Sequence, residues 1–409
     1  MDNIAGSPVE GKDFYGRKAD LDRLREMLNK HDILLLGPRR IGKTSIARAV
    51  MAQVRTEGWR AVEINVASCE DERGFLDKLD SALRPQIASL ADKASAIIGD
   101  GIDAIAGRLK SVKLSTPYGE LDLGLGANDG EAWTQVADDL LRLIARLEQP
   151  WLIYVDELPI LLFNIIRNDP IHGVRRVRRF LDWFRNDVRA MPEVHSVRWL
   201  VSGSVGLDTL VQQHGMADTI NSLKHEGLEA YTDTVAVAML GELAATYGID
   251  LTEEYRQQLV NSVGWAQPYY LQVAFHHLRS LRATLPGEDV GQLIARAVEK
   301  SAQPGEDNDF HHWEGRLFIQ LTDAEAHHCV ALLSVTAQDP TGTRPESLLA
   351  ILHERLPDAT AEEAKRAFVN LRDILLRDAY WCADESQGHK RYRFRLEPLR
   401  LWWLRRSTL

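Results

Sequence analysis

Cysteine is scarce: Cys69, Cys329 and Cys382 are the only three in 409 residues, far apart and without a C-x-x-C pair. That excludes a disulfide framework or a zinc ribbon, and the three are expected to be reduced and structural. Long apolar runs are also missing. No stretch approaches the roughly 20 residues that span a bilayer. Met1 to Lys12 lack a basic start followed by an apolar run, so a cytoplasmic protein with no membrane partner is expected. Positive charge is in deficit: 49 Lys and Arg against 59 Asp and Glu leave a formal net charge of -10. This argues against a chain that coats nucleic acid over its whole surface, because neutralising phosphates needs clustered cations. One local exception runs from Gly388 to Leu409, where seven basic residues, including Lys390, Arg391 and Arg393, face the single acid Glu397.

What is present is the balance of a soluble globular chain, 45% apolar and 26% charged, and 409 residues call for two or three domains. Leu21, Leu24 and Leu28 share one face of a helix that leads into the run Ile33 to Leu36, which reads as a buried parallel strand ending at Gly37. A second helix carries Ile46, Ala49, Val50 and Val54 at helical spacing, and Ala61 to Val66 reads as the next strand. This alternation predicts an α/β fold with a parallel sheet. The stretch from about Arg84 to Gly130 interrupts it and reads as an insertion carrying a hairpin over Val112 to Leu125. The alternation then resumes with a helix from Trp133, a strand Trp151 to Val155, a basic helix near Val174 to Arg189 and a strand Arg198 to Val201. A fifth strand is expected near Leu228 to Tyr231. The core therefore spans 1–231. A helical subdomain is expected over 232–302, and after the linker Ser301 to Asp309 a third domain over 310–409. That last part shows three helical patterns and then a hairpin formed by Ala379 to Cys382 and Tyr392 to Leu396, the pattern of a winged helix.

The strongest chemical signal is the loop Gly37, Pro38, Arg39, Arg40, Ile41, Gly42, Lys43, Thr44, which matches G-x-x-x-x-G-K-[ST] between a strand and a helix and is followed by Ser45. Its glycines let backbone N–H groups turn inward to cradle phosphates, and the helix N-terminus adds its positive dipole end. Lys43 is expected to reach the β- and γ-phosphates and Thr44 to hold Mg2+. Trp151 to Val155 is an apolar strand closed by Asp156 and Glu157, and acids at a strand's carboxyl end open onto the ligand crevice of an α/β sheet. Asp156 is expected to hold the magnesium, directly or through water, and Glu157 to orient the attacking water.

Ser202 and Ser204 follow the next strand and are assigned a sensor role towards the γ-phosphate or the lytic water. Ser202-Gly-Ser-Val-Gly206 also approximates a nucleophile elbow, but Ser202 replaces its first glycine and no Asp and His partners are placed. The arginines of the basic helix read as a solvated face, and no arginine finger is named. Six of 13 histidines form adjacent pairs, which on a helix point about a third of a turn apart and seldom share one metal. No metal beyond magnesium is expected.

These motifs resemble the STAND-type branch of AAA+ ATPases, specifically the prokaryotic and archaeal-type ATPases that end in a winged helix. The likeness covers nearly the whole chain. It rests on Phe14-Tyr-Gly-Arg17 with Asp20 and Leu21, on the phosphate loop, on Val155-Asp-Glu157, on Ser202-Gly-Ser204, and on Gly264-Trp-Ala-Gln-Pro268 with Tyr269 and Tyr270. The resemblance implies that Tyr15, Arg17 and Pro268 line the base and sugar. It also implies an ATP/ADP-binding, slowly hydrolysing molecular switch whose carboxyl-terminal domain engages a protein partner or effector. The competing expectation is an ATP-regulated DNA-binding protein that uses the winged helix and Lys390, Arg391 and Arg393 non-specifically. Oligomerisation is left open.

Overall fold

The apolar run at residues 33–36 forms a strand buried on both faces. In the computed structural model, which describes residues 1–89, 129–147, 149–188, 191, 196–204, 206–303, 308–386 and 388–407, this is β1 (Ile33–Gly37). It pairs in parallel with β4 (Val197–Ser204) on one side and β5 (Lys224–Gly227) on the other. Beyond β4 lie β3 (Trp151–Asp156) and β2 (Arg60–Asn65), giving the order β2-β3-β4-β1-β5, all parallel. Every residue of β3 is buried, as expected of a strand inside such a sheet.

The helices of this unit are α1 (Lys18–Met27), α2 (Lys43–Thr56), α3 (Glu72–Ala88), α4 (Asp129–Ala145), α5 (Leu158–Asn168), α6 (Gly173–Asp182) and α7 (Leu207–Gln213). On α2, Ile46, Ala47, Val50, Met51 and Val54 are buried at helical spacing. Phe75, Trp133, Phe180, Trp183, Phe184 and Trp199 form one aromatic cluster, with Trp133 stacked on Phe180 at 5.3 Å. The expected α/β class is the one observed.

Two details differ from the sequence reading. The fifth strand ends at Gly227, before the expected Leu228 to Tyr231. It is an edge strand of Lys, His, Glu and Gly, largely exposed, so no apolar run marks it; Leu228 only extends the pairing, through its N–H to the Leu36 carbonyl. Helix α3 runs on through Arg84 to Ala88. Its start is fixed by the Asp71 side chain accepting from the Gly74 N–H, and Phe75, Leu76, Leu79, Leu83 and Ile87 bury its face. The hairpin expected over Val112 to Leu125 lies outside the described residues.

The chain divides into two units: Arg17–Gly37 with Lys43–Leu228, described above, and Met1–Gly16 with Pro38–Gly42 and Glu229–Leu409. The second unit is mostly helical: α8 (Asp233–Thr246), α9 (Glu253–Val263), α10 (Pro268–Thr284), α11 (Val290–Ser301), α12 (Phe310–Gln320), α13 (Asp323–Gln338), α14 (Pro345–Glu354), α15 (Ala361–Arg377) and α16 (Glu397–Ser407). Between α15 and α16, β6 (Trp381–Asp384) and β7 (Arg391–Phe394) pair antiparallel, and Thr343 bridges Tyr392. A capping box of Thr360 and Glu363 opens α15, whose Ala364, Phe368, Leu371 and Leu375 are buried. Trp402 and Trp403 are packed into the core, and the Trp403 indole donates to Ser334. All three cysteines are unpaired, and burial pushes each thiol's pKa up. Among the described residues no helix is long and apolar enough to cross a membrane.

Candidate functional site

At the carboxyl end of the sheet, β1, β3 and β4 finish beside the start of α2. The phosphate loop joins β1 to α2, and at its Gly42 the backbone has φ +105°, a conformation that side chains with a Cβ rarely adopt. Lys43 opens α2, is nearly buried, and donates from Nζ to the Gly37 carbonyl at 2.8 Å. The lysine is thus folded across its own loop. Thr44 follows, and its hydroxyl donates to Asp156 Oδ2 at 3.0 Å.

The β3–β4 register sets Val155 against Val201, which brings Asp156 beside Ser202. The Ser202 hydroxyl donates to Asp156 Oδ1, so both carboxylate oxygens are engaged. The Tyr154 phenol lies 3.2 Å from the Ser202 hydroxyl. Burial and the nearby Asp156 charge push the Tyr154 pKa far above the ordinary phenol value, so it keeps its proton. Ser202 is therefore committed to the carboxylate. Ser204 closes β4, and its side chain lies outside the described part of the structure. At Gly203, an added Cβ would meet Pro159 Cγ at 2.8 Å, so the absence of a side chain lets β4 pass close to the turn after β3.

That turn carries Glu157, which has φ +61° and ψ +39°, left-handed backbone for a residue with a full side chain. One of its carboxylate oxygens is buried without a hydrogen-bond partner. Strain and an unsatisfied acceptor in one residue are tolerated where function requires the orientation. The Thr44 hydroxyl and the Asp156 carboxylate form an oxygen-only donor set, which fits Mg2+, an ion that takes one or two carboxylates together with substrate phosphates.

Arg17, also expected near the nucleotide, is nearly buried and donates to Asp20 at 3.2 Å; Arg23 reaches the same carboxylate. On α6, Arg176 pairs with Glu72 and Asp169, and Arg178 with Asp218, so these arginines have acidic partners within their own unit.

In the second unit, the loop residues 38–42 are held by contacts that the sequence did not announce. Arg39 and Arg40 both donate from Nε to Oδ2 of Asp309, at 2.6 and 3.0 Å. Arg40 also donates to the Gly6 carbonyl at 2.7 Å, and its guanidinium lies 4.8 Å from the centre of the Tyr269 ring. The fully buried Gln267 donates to the Arg39 carbonyl. Pro268 is the first residue of α10, and the Tyr15 carbonyl accepts from the Tyr231 hydroxyl at 2.7 Å. In the β6–β7 hairpin, Arg391 donates to the Gly342 carbonyl at 2.7 Å and lies 3.5 Å from Asp339. Arg393 donates to Asp384 at 3.1 Å, and Lys390 lies 5.9 Å from the centre of the Tyr392 ring.

Sequence reasoning named the loop, Asp156 and Glu157, quoted Gln267 and Tyr269 only as part of a family motif without their contacts to Arg39 and Arg40, and missed the roles of Tyr154 and Asp309. For Tyr154 a signal existed: a polar group two residues before Asp156 shares its face of the strand. For Asp309 no local pattern could have pointed to a loop some 270 positions away.

Residues 13–161 match the family described as AAA ATPase domain. Among solved structures, the Walker-type ATPase PABY2304 of Pyrococcus abyssi aligns over 98% of this chain and 99% of its own, with a TM-score of 0.58 and 16% identity. The Aeropyrum pernix ORC2 protein, solved in ADPNP-ADP complexes, aligns over 98% and 95%, with a TM-score of 0.55 and 13% identity. At such identities the likeness concerns the fold. No curated protein matches by sequence. The fold and the phosphate loop define a P-loop ATPase of the AAA+ type. Within this chain the AAA ATPase domain occupies residues 13–161, and the enzyme's reaction is ATP hydrolysis.

Proposed function

We propose that the chain is a STAND-type, ATP-dependent molecular switch, in which the state of the phosphate loop controls engagement of a protein partner by the carboxyl-terminal region. The observation that carries this reading is Asp309. It accepts from both loop arginines, its side chain is only 8% exposed, and it is the N-cap of α12, the first helix after the 304–307 segment. Arg40 itself has φ +64°, a left-handed conformation that costs about 1–2 kcal/mol outside glycine, and Asp309 with the Gly6 carbonyl holds it there. A phosphate entering the loop adds negative charge beside Arg39 and Arg40 and competes with Asp309 for them. The loop's occupancy is thus felt at the start of the carboxyl-terminal helices, a charge event biasing a structural element.

In this reading the loop N–H groups and Lys43 bind the phosphates of ATP or ADP, Thr44 and Asp156 would hold Mg2+, and Glu157 orients water towards the γ-phosphate. Magnesium, when bound, neutralises phosphate charge. Tyr15, Arg17 and Pro268 are assigned to the base and sugar. Helices α13–α15 followed by the β6–β7 hairpin support a winged helix within 310–409, after a helical lid at 232–302. A protein partner is preferred to DNA because Arg391 and Arg393 already have Asp339 and Asp384 beside them.

The test is Asp309→Asn, compared with the parent chain by hydrogen exchange in the presence of ADP and of a non-hydrolysable ATP analogue. The parent should show different protection of the first turns of α12 in the two states. In the variant, ATP should still bind while that difference shrinks by about fivefold or more, the scale of an ordinary coupling between sites. An undiminished difference would refute the switch reading.

A further inference from the structure

We propose that Tyr154 is a positioning residue for magnesium: through Ser202 it fixes the Asp156 carboxylate in the orientation that faces Thr44. The inference rests on the reading of Asp156 and Thr44 as the residues that hold the metal. Its basis is a continuous chain of hydroxyl and carboxyl groups supplied by three elements. Tyr154 and Asp156 come from β3, Ser202 from β4 and Thr44 from α2. Tyr154 and Ser202 are both fully buried.

The direction of the chain follows from counting protons. A serine hydroxyl has one proton and two acceptor lone pairs. Ser202 gives its proton to Asp156 Oδ1, so at 3.2 Å from the Tyr154 oxygen it can only accept, and the phenol is the donor. Asp156 Oδ2 in turn takes the Thr44 proton. The terminal torsion of an aspartate is otherwise broad and nearly two-fold, and donors on both oxygens remove that freedom. A metal that uses few protein ligands gains most from a carboxylate already turned to receive it.

Position 154 also asks for an explanation on packing grounds. An apolar side chain would fill the interior of a buried strand without the cost of desolvating a phenol, and a buried hydroxyl is retained where it makes a hydrogen bond that matters. Here that bond leads to the one carboxylate within the strand. A donor that polarises Ser202 also strengthens the serine's own bond to Asp156, because hydrogen bonds in a chain reinforce one another.

The experiment uses the full chain and calorimetric titration of ADP, once with Mg2+ and once with EDTA. In Tyr154→Phe the ADP affinity in EDTA should stay within about twofold of the parent. The gain in affinity that Mg2+ confers should fall about three- to tenfold, the effect of one hydrogen bond of ordinary strength. Ser202→Ala should reduce the Mg2+ gain at least as much, and the double variant should lose no more than Ser202→Ala alone, since residues in one chain are not additive. If Tyr154→Phe does not fold, Ser202→Ala carries the same test. Asp156→Asn separates two kinds of failure. A retained Mg2+ gain in Tyr154→Phe and Ser202→Ala, with the gain lost in Asp156→Asn, would overturn the positioning role alone. A gain retained in all three would overturn the metal assignment of Asp156 and the positioning role with it.

Discussion

Glu157 combines a left-handed backbone and a buried acceptor without a hydrogen-bond partner in one residue. Its left-handed backbone and its partnerless buried oxygen are both costs, and both are useful if the carboxylate must be aimed before substrate arrives. Glu157→Gln keeps the shape and removes the charge, so nucleotide binding should persist while ATP hydrolysis falls about a hundredfold or more. Single-turnover measurements with MgATP check this, and unchanged turnover would place the base elsewhere. The residues legible in the sequence, Gly37 to Thr44 with Asp156, are those whose role follows from local backbone geometry. What Ser202 does was not legible, because whether it faces phosphate or Asp156 depends on the pairing of Val155 with Val201 across two strands. Tyr154 left a signal, a polar group on the same strand face as Asp156, but its partner Ser202 depends on that same cross-strand pairing.

Among the elements, the β6–β7 hairpin shows how far periodicity reaches. Its two strands, Trp381–Asp384 and Arg391–Phe394, overlap the expected Ala379 to Cys382 and Tyr392 to Leu396 around the polar turn but are displaced from them by one or two residues, whereas β5 escaped because an exposed edge strand needs no apolar side chains. The hairpin also contains the clearest acid-sensitive contact. The carboxyl of Asp384 is pulled down to about 2 by bonds from the Ser386 hydroxyl and N–H and by Arg393. Its folded-state pKa lies below the unfolded value of about 3.9, so its contribution to stability is present above that value and is lost as pH falls towards 2. In Asp384→Asn, thermal melts of the full chain between pH 2 and 5 should therefore fall less steeply with acid than those of the parent. Parallel curves would contradict this account.

For the whole molecule, the formal charge of -10 opposes DNA, and two cations of the hairpin, Arg391 and Arg393, are offset by Asp339 and Asp384. Any DNA binding should be independent of sequence, should weaken steeply as salt rises, and should drop when Lys390, Arg391 and Arg393 become alanine. A tight, sequence-specific shift at about 0.15 M salt would reverse the preference for a protein partner. The seating of the phosphate loop has a further consequence, for how the chain can be divided. Residues 38–42 belong by their contacts to the unit that also contains Gln267, Tyr269 and Asp309, while the strand before them and the helix after them belong to the other. A fragment ending at Leu228 would contain every recognisable phosphate-site motif and yet lack the side chains that hold the loop in shape. Such a fragment is therefore expected to bind ATP more weakly than the full chain in calorimetric titration, and equal affinity would show that the loop does not need Gln267, Tyr269 or Asp309.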